Sequence, residues 1–254
     1  MVQNHMLQLL ALVAMEPPSD FDATAVRDEK VKVLRALRPI GTADVEANSV
    51  TGQYGRGAID GETVPGYVEE VGHESTTETF VALRAHIDNW RWKGVPFYLR
   101  TGKRMPARDT EIFIQFRDVP YSIFASRGAT TRPNKLIIGL QPMESIELRM
   151  MAKTPGLDRH GVRLREIPLD IGVANAFSEY RRRIAYERLL LDLIEGDSTL
   201  FVRRDEVEAQ WTWIDRIRAA WAEKGITPRP YAAGTWGPSA AIALTERDGI
   251  SWHE

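Results

Sequence analysis

The chain has no cysteine. That absence excludes disulfide staples, thiolate nucleophiles and Cys-ligated metal sites, and it accords with a reducing compartment. Histidine is scarce too: five in 254 residues, at positions 5, 73, 86, 160 and 253, with no close pair to suggest a metal centre. No apolar run is long enough to span a bilayer. The longest near the start, 6–15, contains Gln8 and lacks the basic flank and small-residue cleavage site of a secretion signal. Nor does one charge dominate. With 33 Lys and Arg against 35 Asp and Glu, the net charge is −2, so no global field draws nucleic acid or an anionic membrane. Any anionic ligand must be held by a local cluster. The P-loop, Gly-x-Ser-x-Gly and His-Glu-x-x-His patterns are missing as well. The stretch 52–57 (GQYGRG) has glycines but not the strand-to-helix context of a dinucleotide fingerprint, and it reads as a loop. These absences predict a cytoplasmic, metal-free protein with neither nucleic acid nor membrane as partner.

What is present is ordinary globular patterning over a length sufficient for a core. Residues 1–16 are helical by propensity and are stopped by Pro17 and Pro18. The chain opens inside this apolar helix with no capping residue ahead of it, which predicts a piece of a longer protein. A second helix over 22–37 sets Val26, Val31, Leu34 and Leu37 on one face, with Arg27, Asp28, Glu29 and Lys30 on another. A strand is predicted over 45–54 and a Gly-rich loop over 55–71.

From Thr76 onward the period is mostly two. Val81, Leu83, Ala85 and Ile87 alternate with Arg84, His86 and Asp88, the pattern of a half-buried strand. Further strands read over 96–100, 112–116, 136–141, 146–153 and 162–171, the last interrupted by Pro168 and so bulged or at an edge. Helices return over 180–195, closed by Gly196, and over 204–224, which carries Trp211, Trp213, Ile214, Ile217 and Trp221 and stops at Gly225. A turn-rich tail holds one short helix over 239–246. Strands in series bracketed by helices predict an α+β fold, a large mainly antiparallel sheet with helices packed on one face.

Two features bear on chemistry. His5 sits one helical turn from Gln8 and Leu9. A lone helical histidine is more often structural or merely exposed than catalytic, and acting as a base requires a carboxylate that nothing nearby in sequence supplies. The segment 100–108 (RTGKRMPAR) packs four cations into nine residues directly after an apolar strand. It reads either as a solvated hairpin loop or as an anion and sugar-hydroxyl site with Lys103 and Arg108 as donors. Trp90, Trp92 and the 211–221 set read as core or interface, since no basic stripe accompanies them.

Several blocks together resemble the glucose-6-phosphate dehydrogenase family. They are Gln3-Asn4-His5 with the apolar helix that follows, Gln53-Tyr54 opening a Gly-rich loop, Val64-Pro65-Gly66-Tyr67, and Ser75 to Phe80 (STTETF). Then come Trp92 to Lys103 (WKGVPFYLRTGK), Ala185 to Leu189 (AYERL), Phe201-Val202-Arg203 and Trp236-Gly237-Pro238. The resemblance spans essentially the whole chain. It implies that residues 1–40 are helices of the substrate-site region and 41–254 the C-terminal sheet domain, one domain overall.

It further implies oxidation of glucose 6-phosphate to 6-phosphogluconolactone with NADP as hydride acceptor, a step of the oxidative pentose phosphate pathway. His5 would be the general base, with Lys103 and Arg108 contacting the sugar phosphate and Gln141 bordering the same pocket. The family's Gly-x-x-Gly-Asp-Leu loop and Asp-His-Tyr-Leu-Gly-Lys segment are not in this sequence, and a sugar-binding aspartate would fall immediately before Met1. The expectation is therefore part of the enzyme, inactive alone and assembling as a dimer or tetramer through the sheet face. The alternatives are a non-catalytic dimerisation module and a simple sugar-phosphate binder.

Overall fold

A computed structural model of the chain describes residues 1–127, 129–156, 162–172 and 185–253. Its contacts divide into two compact units. The first is Met1–Pro106 with the described residues from 185 to Trp252; the second is the described residues from Ala107 to 172 with His253. In chain order a π-helical turn at Val2–Met6 leads into α1 (Leu7–Ala14), followed by α2 (Ala23–Arg35), α3 (Val45–Asn48), β1 (Ser49–Gly55), β2 (Gly57–Ile59), β3 (Glu62–Val64), α4 (Tyr67–Val71), β4 (Phe80–His86) and β5 (Pro96–Gly102). Then come β6 (Thr110–Gln115), β7 (Lys135–Gln141), β8 (Ser145–Lys153), β9 (Leu164–Ile171), α5 (Ala185–Glu195), α6 (Arg204–Lys224), β10 (Arg229–Ala232) and α7 (Ala240–Glu246).

The fold is α+β and mostly antiparallel. Its strands form two four-stranded sheets, β10-β1-β4-β5 in the first unit and β6-β7-β8-β9 in the second, with β2–β3 as a separate hairpin. The parallel pair is β1 with β10; the other ladders are antiparallel. β9 lies at the edge of the second sheet, where the missing N–H of Pro168 deprives no outer strand of a donor, and its register against β8 runs unbroken. Among the described residues, no helix is long and apolar enough to cross a membrane.

Local chemistry explains most boundaries. The Asp22 carboxylate caps α2, accepting from the amides of Thr24 at 2.7 Å and Ala25 at 3.0 Å. Gly225, at φ +63°, ends α6 in the left-handed conformation, and Gly196, at φ +76°, does the same after α5. Residues 180–184 of the expected 180–195 helix lie outside the described residues.

Four expectations are corrected. The 45–54 stretch is not all strand, because its first four residues wind into α3. The 55–71 stretch is not a loop: it holds the β2–β3 hairpin, turned through Asp60 and Gly61 at φ +53° and +84°, and then α4. The turn-rich tail contributes β10. And β4 is buried on both faces rather than one. Val81, Leu83 and Ala85 pack with Leu7 and Leu10 of α1, Leu34 of α2 and Ile217 of α6. On the opposite face Phe80 and Ala82 pack with Val50, Tyr54, Tyr231 and Leu244 of α7. The polar alternation reflects only the far end of the strand, at Arg84 and His86. Helices α1, α2 and α6 thus cover one face, and the short α4 and α7 cover the other.

The tryptophans divide. Trp213 and Trp221 donate their indole N–H groups at 2.8 Å to the Arg38 carbonyl and the Ser49 hydroxyl, while Trp90 is fully exposed and belongs to no core.

Lys30 does not lie on a solvated face of α2. Its ammonium is 2.7 Å from the Glu206 carboxylate, with the side chains only 6% and 0% exposed. The same carboxylate accepts from the Gln8 amide at 3.2 Å and from the Arg203 backbone amide, at the start of α6, at 3.0 Å. Removing one partner of a buried pair strands the other charge. Glu206→Ala is therefore expected to cost about 3–5 kcal/mol, whereas Lys30→Met with Glu206→Leu should cost much less. Urea unfolding followed by tryptophan fluorescence measures both.

Candidate functional site

His5 lies in the π-helical turn. Its amide and that of Met6 both bond to the Met1 carbonyl, at 2.9 and 3.2 Å, so the turn is one residue wider than an α-turn. Such turns cluster at functional sites because they re-aim a side chain without ending the helix. Here the turn is pinned from α6: the Gln3 amide donates to Gln210 Oε1 at 3.0 Å, and Gln210 is wholly buried. The His5 ring is exposed, and among the described residues no side chain hydrogen-bonds to it.

Lys103 directly follows β5. Its amide donates to the Thr79 carbonyl at 2.8 Å, and its carbonyl accepts from the buried Tyr231 hydroxyl at 2.7 Å. The preceding residue has to be glycine. A Cβ at Gly102 would lie 2.8 Å from both the Phe80 ring and the Met105 sulfur, and Phe80 has no room to move.

An open cavity of about 420 Å³ joins these two features, with Gln3, Thr79, Lys103, Trp211, Arg218 and Trp221 among its lining. Lys103 and the turn that carries His5 therefore face one space in the first unit. Its walls are largely apolar, and its rim carries Glu78, Lys103 and Arg218. That suits a ligand with one apolar face and an anionic or hydroxyl-rich end.

Arg108 and Gln141 belong to the second unit. Gln141 pairs with Thr110 across the β6–β7 ladder, which puts Arg108, two residues before Thr110, at the same end of that sheet. Both are exposed. Of the four expected residues, Arg108 and Gln141 lie at one end of the second sheet and Lys103 lines the cavity, while the His5 turn reaches that cavity through Val2 and Gln3 and not through the His5 side chain. The sequence reading missed the supports, Gln210, Tyr231 and Thr79. Gln210 offered no signal on a helix otherwise read by its tryptophans. Tyr231 sat in a tail taken for turns.

The family model described as glucose-6-phosphate dehydrogenase, C-terminal domain matches residues 1–253. The chain belongs to that family. It is 62% identical over 254 residues to glucose-6-phosphate 1-dehydrogenase of Zymomonas mobilis, covering 100% of this chain and 52% of that protein. The enzyme of Rhizobium meliloti is 57% identical over 255 residues, again with 100% of this chain and 51% of that protein covered. Among solved structures, a glucose-6-phosphate dehydrogenase in complex with its substrate glucose-6-phosphate superposes with a TM-score of 0.86 at 36% identity, over 100% of this chain and 50% of that one. Glucose-6-phosphate 1-dehydrogenase from Mycobacterium avium gives a TM-score of 0.78 at 35% identity, with the same coverage. The chain spans about half the length of the curated relatives it matches. The family resemblance read from the motifs is confirmed.

Gly102→Ala is expected to cost about 1–3 kcal/mol, the usual penalty for forcing a methyl into a filled core. A thermal melt checks it; an unchanged midpoint would mean that the strand end relaxes freely.

Proposed function

We propose that the chain supplies the sugar-phosphate-binding, base-bearing part of a cytoplasmic, NADP-dependent glucose-6-phosphate 1-dehydrogenase of the oxidative pentose phosphate pathway. The observation that carries the reading is the shared cavity of Lys103 and the His5 turn, in a chain whose family includes a relative solved with glucose 6-phosphate. In this reading Lys103 donates to the sugar phosphate. His5 takes the proton of the anomeric hydroxyl as the sugar is oxidised to its lactone. An imidazole is the side chain most often used for such proton transfer, and cationic donors suit a phosphorylated sugar.

The described residues do not fit NADP. The glycines of 52–57 run along β1 and into the β2 hairpin, not into the strand-to-helix turn that cradles a pyrophosphate, and the first sheet is not a wound parallel one. No hydride step is assigned to this chain. Turnover belongs to the chain together with a dinucleotide-binding fold.

A second reading, a homo-oligomeric assembly module without catalysis, draws on exposed apolar side chains. Ile167, Leu169 and Ile171 of β9 and Leu190, Leu193 and Ile194 of α5 all face solvent in the single chain.

Calorimetric titration of glucose 6-phosphate into the chain separates the two. Salt-sensitive binding that Lys103→Ala weakens by about tenfold, as loss of a charge-assisted hydrogen bond should, supports the first. No heat at millimolar sugar phosphate, with a fixed oligomeric mass, supports the second. In the chain joined to a relative's dinucleotide-binding part, His5→Asn is expected to lower kcat by about 10²–10⁴-fold with little change in KM.

A further inference from the structure

Arg104, the residue after Lys103, is held at φ +53°, in the left-handed region that side chains with a Cβ avoid. Among the described residues only Asp60 shares this among non-glycines, and Asp60 sits in a tight hairpin turn that demands it. Arg104 lies in no such hairpin. Unfavourable backbone of this kind persists where its surroundings over-determine it, and it gathers at functional sites.

The surroundings are explicit. The Arg104 carbonyl accepts from the Gly234 amide at 2.7 Å, just beyond β10. The Arg104 guanidinium pairs with the carboxylate of Glu70 near the end of α4. That carboxylate also accepts from the Tyr54 hydroxyl. The Tyr54 ring is buried and meets Tyr67 and Tyr231 edge-on, with centroids 5.6 and 6.4 Å apart. The bond from Tyr54 and then the Arg104 cation hold the Glu70 carboxyl below the usual carboxylate range, so it stays charged at neutral pH. Burial, reinforced by that carboxylate, pushes the Tyr54 phenol up to about 12, so it stays a donor.

The Arg104–Glu70 pair is a poor stabiliser in its own right. Its side chains are 42% and 28% exposed, and pairs so wetted contribute little to folding. What the pair does is tie the residue beside Lys103 to a rigid aromatic cluster. We propose that Glu70, acting through Arg104, is a positioning residue that aims the Lys103 ammonium into the sugar-phosphate cavity. This rests on the reading of Lys103 as a sugar-phosphate contact.

The test uses the full chain with its lysines ¹³C-methylated, and the Lys103 signal is assigned from Lys103→Arg. Glu70→Gln is expected to move that signal and to weaken glucose 6-phosphate binding by about threefold to tenfold, with the melting midpoint nearly unchanged. Arg104→Lys, which keeps a cation for Glu70, should retain most of the wild-type affinity. The sign is decisive. Neutralising Glu70 raises the local positive charge, so a purely electrostatic role predicts tighter binding of the phosphate.

Tighter binding in Glu70→Gln, or a Lys103 signal left where it was, overturns the inference. A moved signal in Glu70→Gln, together with unchanged affinity in Lys103→Ala, overturns the substrate reading of Lys103 and leaves the tether standing.

Discussion

The Glu206 carboxylate is wholly out of solvent, and it takes the Lys30 ammonium at 2.7 Å, the Gln8 amide at 3.2 Å and the backbone amide of Arg203 at 3.0 Å. One side chain of α6 thereby joins α1 and α2 and satisfies a free donor at the start of its own helix. Isolated charges are expelled from protein interiors, so this one is tolerable only because its neighbours supply three donors at once. The arrangement also sets rotation. Helices that bury only leucine and valine can slide by a fraction of a turn at little cost, but a shared carboxylate fixes which face of each points inward. Gln210 lies one turn further along α6 and grips Gln3, so the π-helical turn inherits its place from the same constraint.

The other half of the first unit's site has a different support. Lys103 hangs from a strand end closed in by Phe80, Tyr231 and Thr79, residues of the aromatic core on the opposite face of β4 and of the segment leading into it. A polar network therefore holds the histidine-bearing turn, and packed aromatic rings hold the lysine. β4 lies between, with side chains in both cores, and is the common reference for the two. Its burial on both faces gives it little freedom to shift.

Much of this was legible in the residues. The Asp22 cap, the stop at Pro17, the glycines after α5 and α6, the α+β class and every strand of the second sheet follow from local chemistry. The family resemblance rests on blocks such as 92–103 that sit where the fold concentrates its close contacts. What local patterning could not show was pairing at a distance. Lys30 looks like any lysine on a polar helical face until Glu206, far along the chain, is brought over it. Residues 228–232 hold two prolines and read as turn, yet Arg229–Ala232 pairs with β1 because an edge position tolerates a missing donor. Phe80 and Ala82 were overlooked because the polar residues that defined the alternation lie only at the strand's far end. Glu70 carries no motif and Arg104 is only one of four cations in 100–108, so their meeting depends on where α4 ends.

The parallel ladder from Gly52 to Arg229 also governs the order in which the molecule is made. β6 to β9 pair only with sequence neighbours, so the second sheet can close as its strands leave the ribosome. The first sheet waits. β1 emerges early, but β10 arrives only after β6 to β9 and α6 have been synthesised, and the Tyr231 hydroxyl that secures Lys103 arrives with it. During translation the strand edge of β1 is open to other chains. The support of Lys103 is therefore among the last parts of the protein to be assembled, and a chain interrupted before β10 would carry Lys103 without the hydroxyl that holds it.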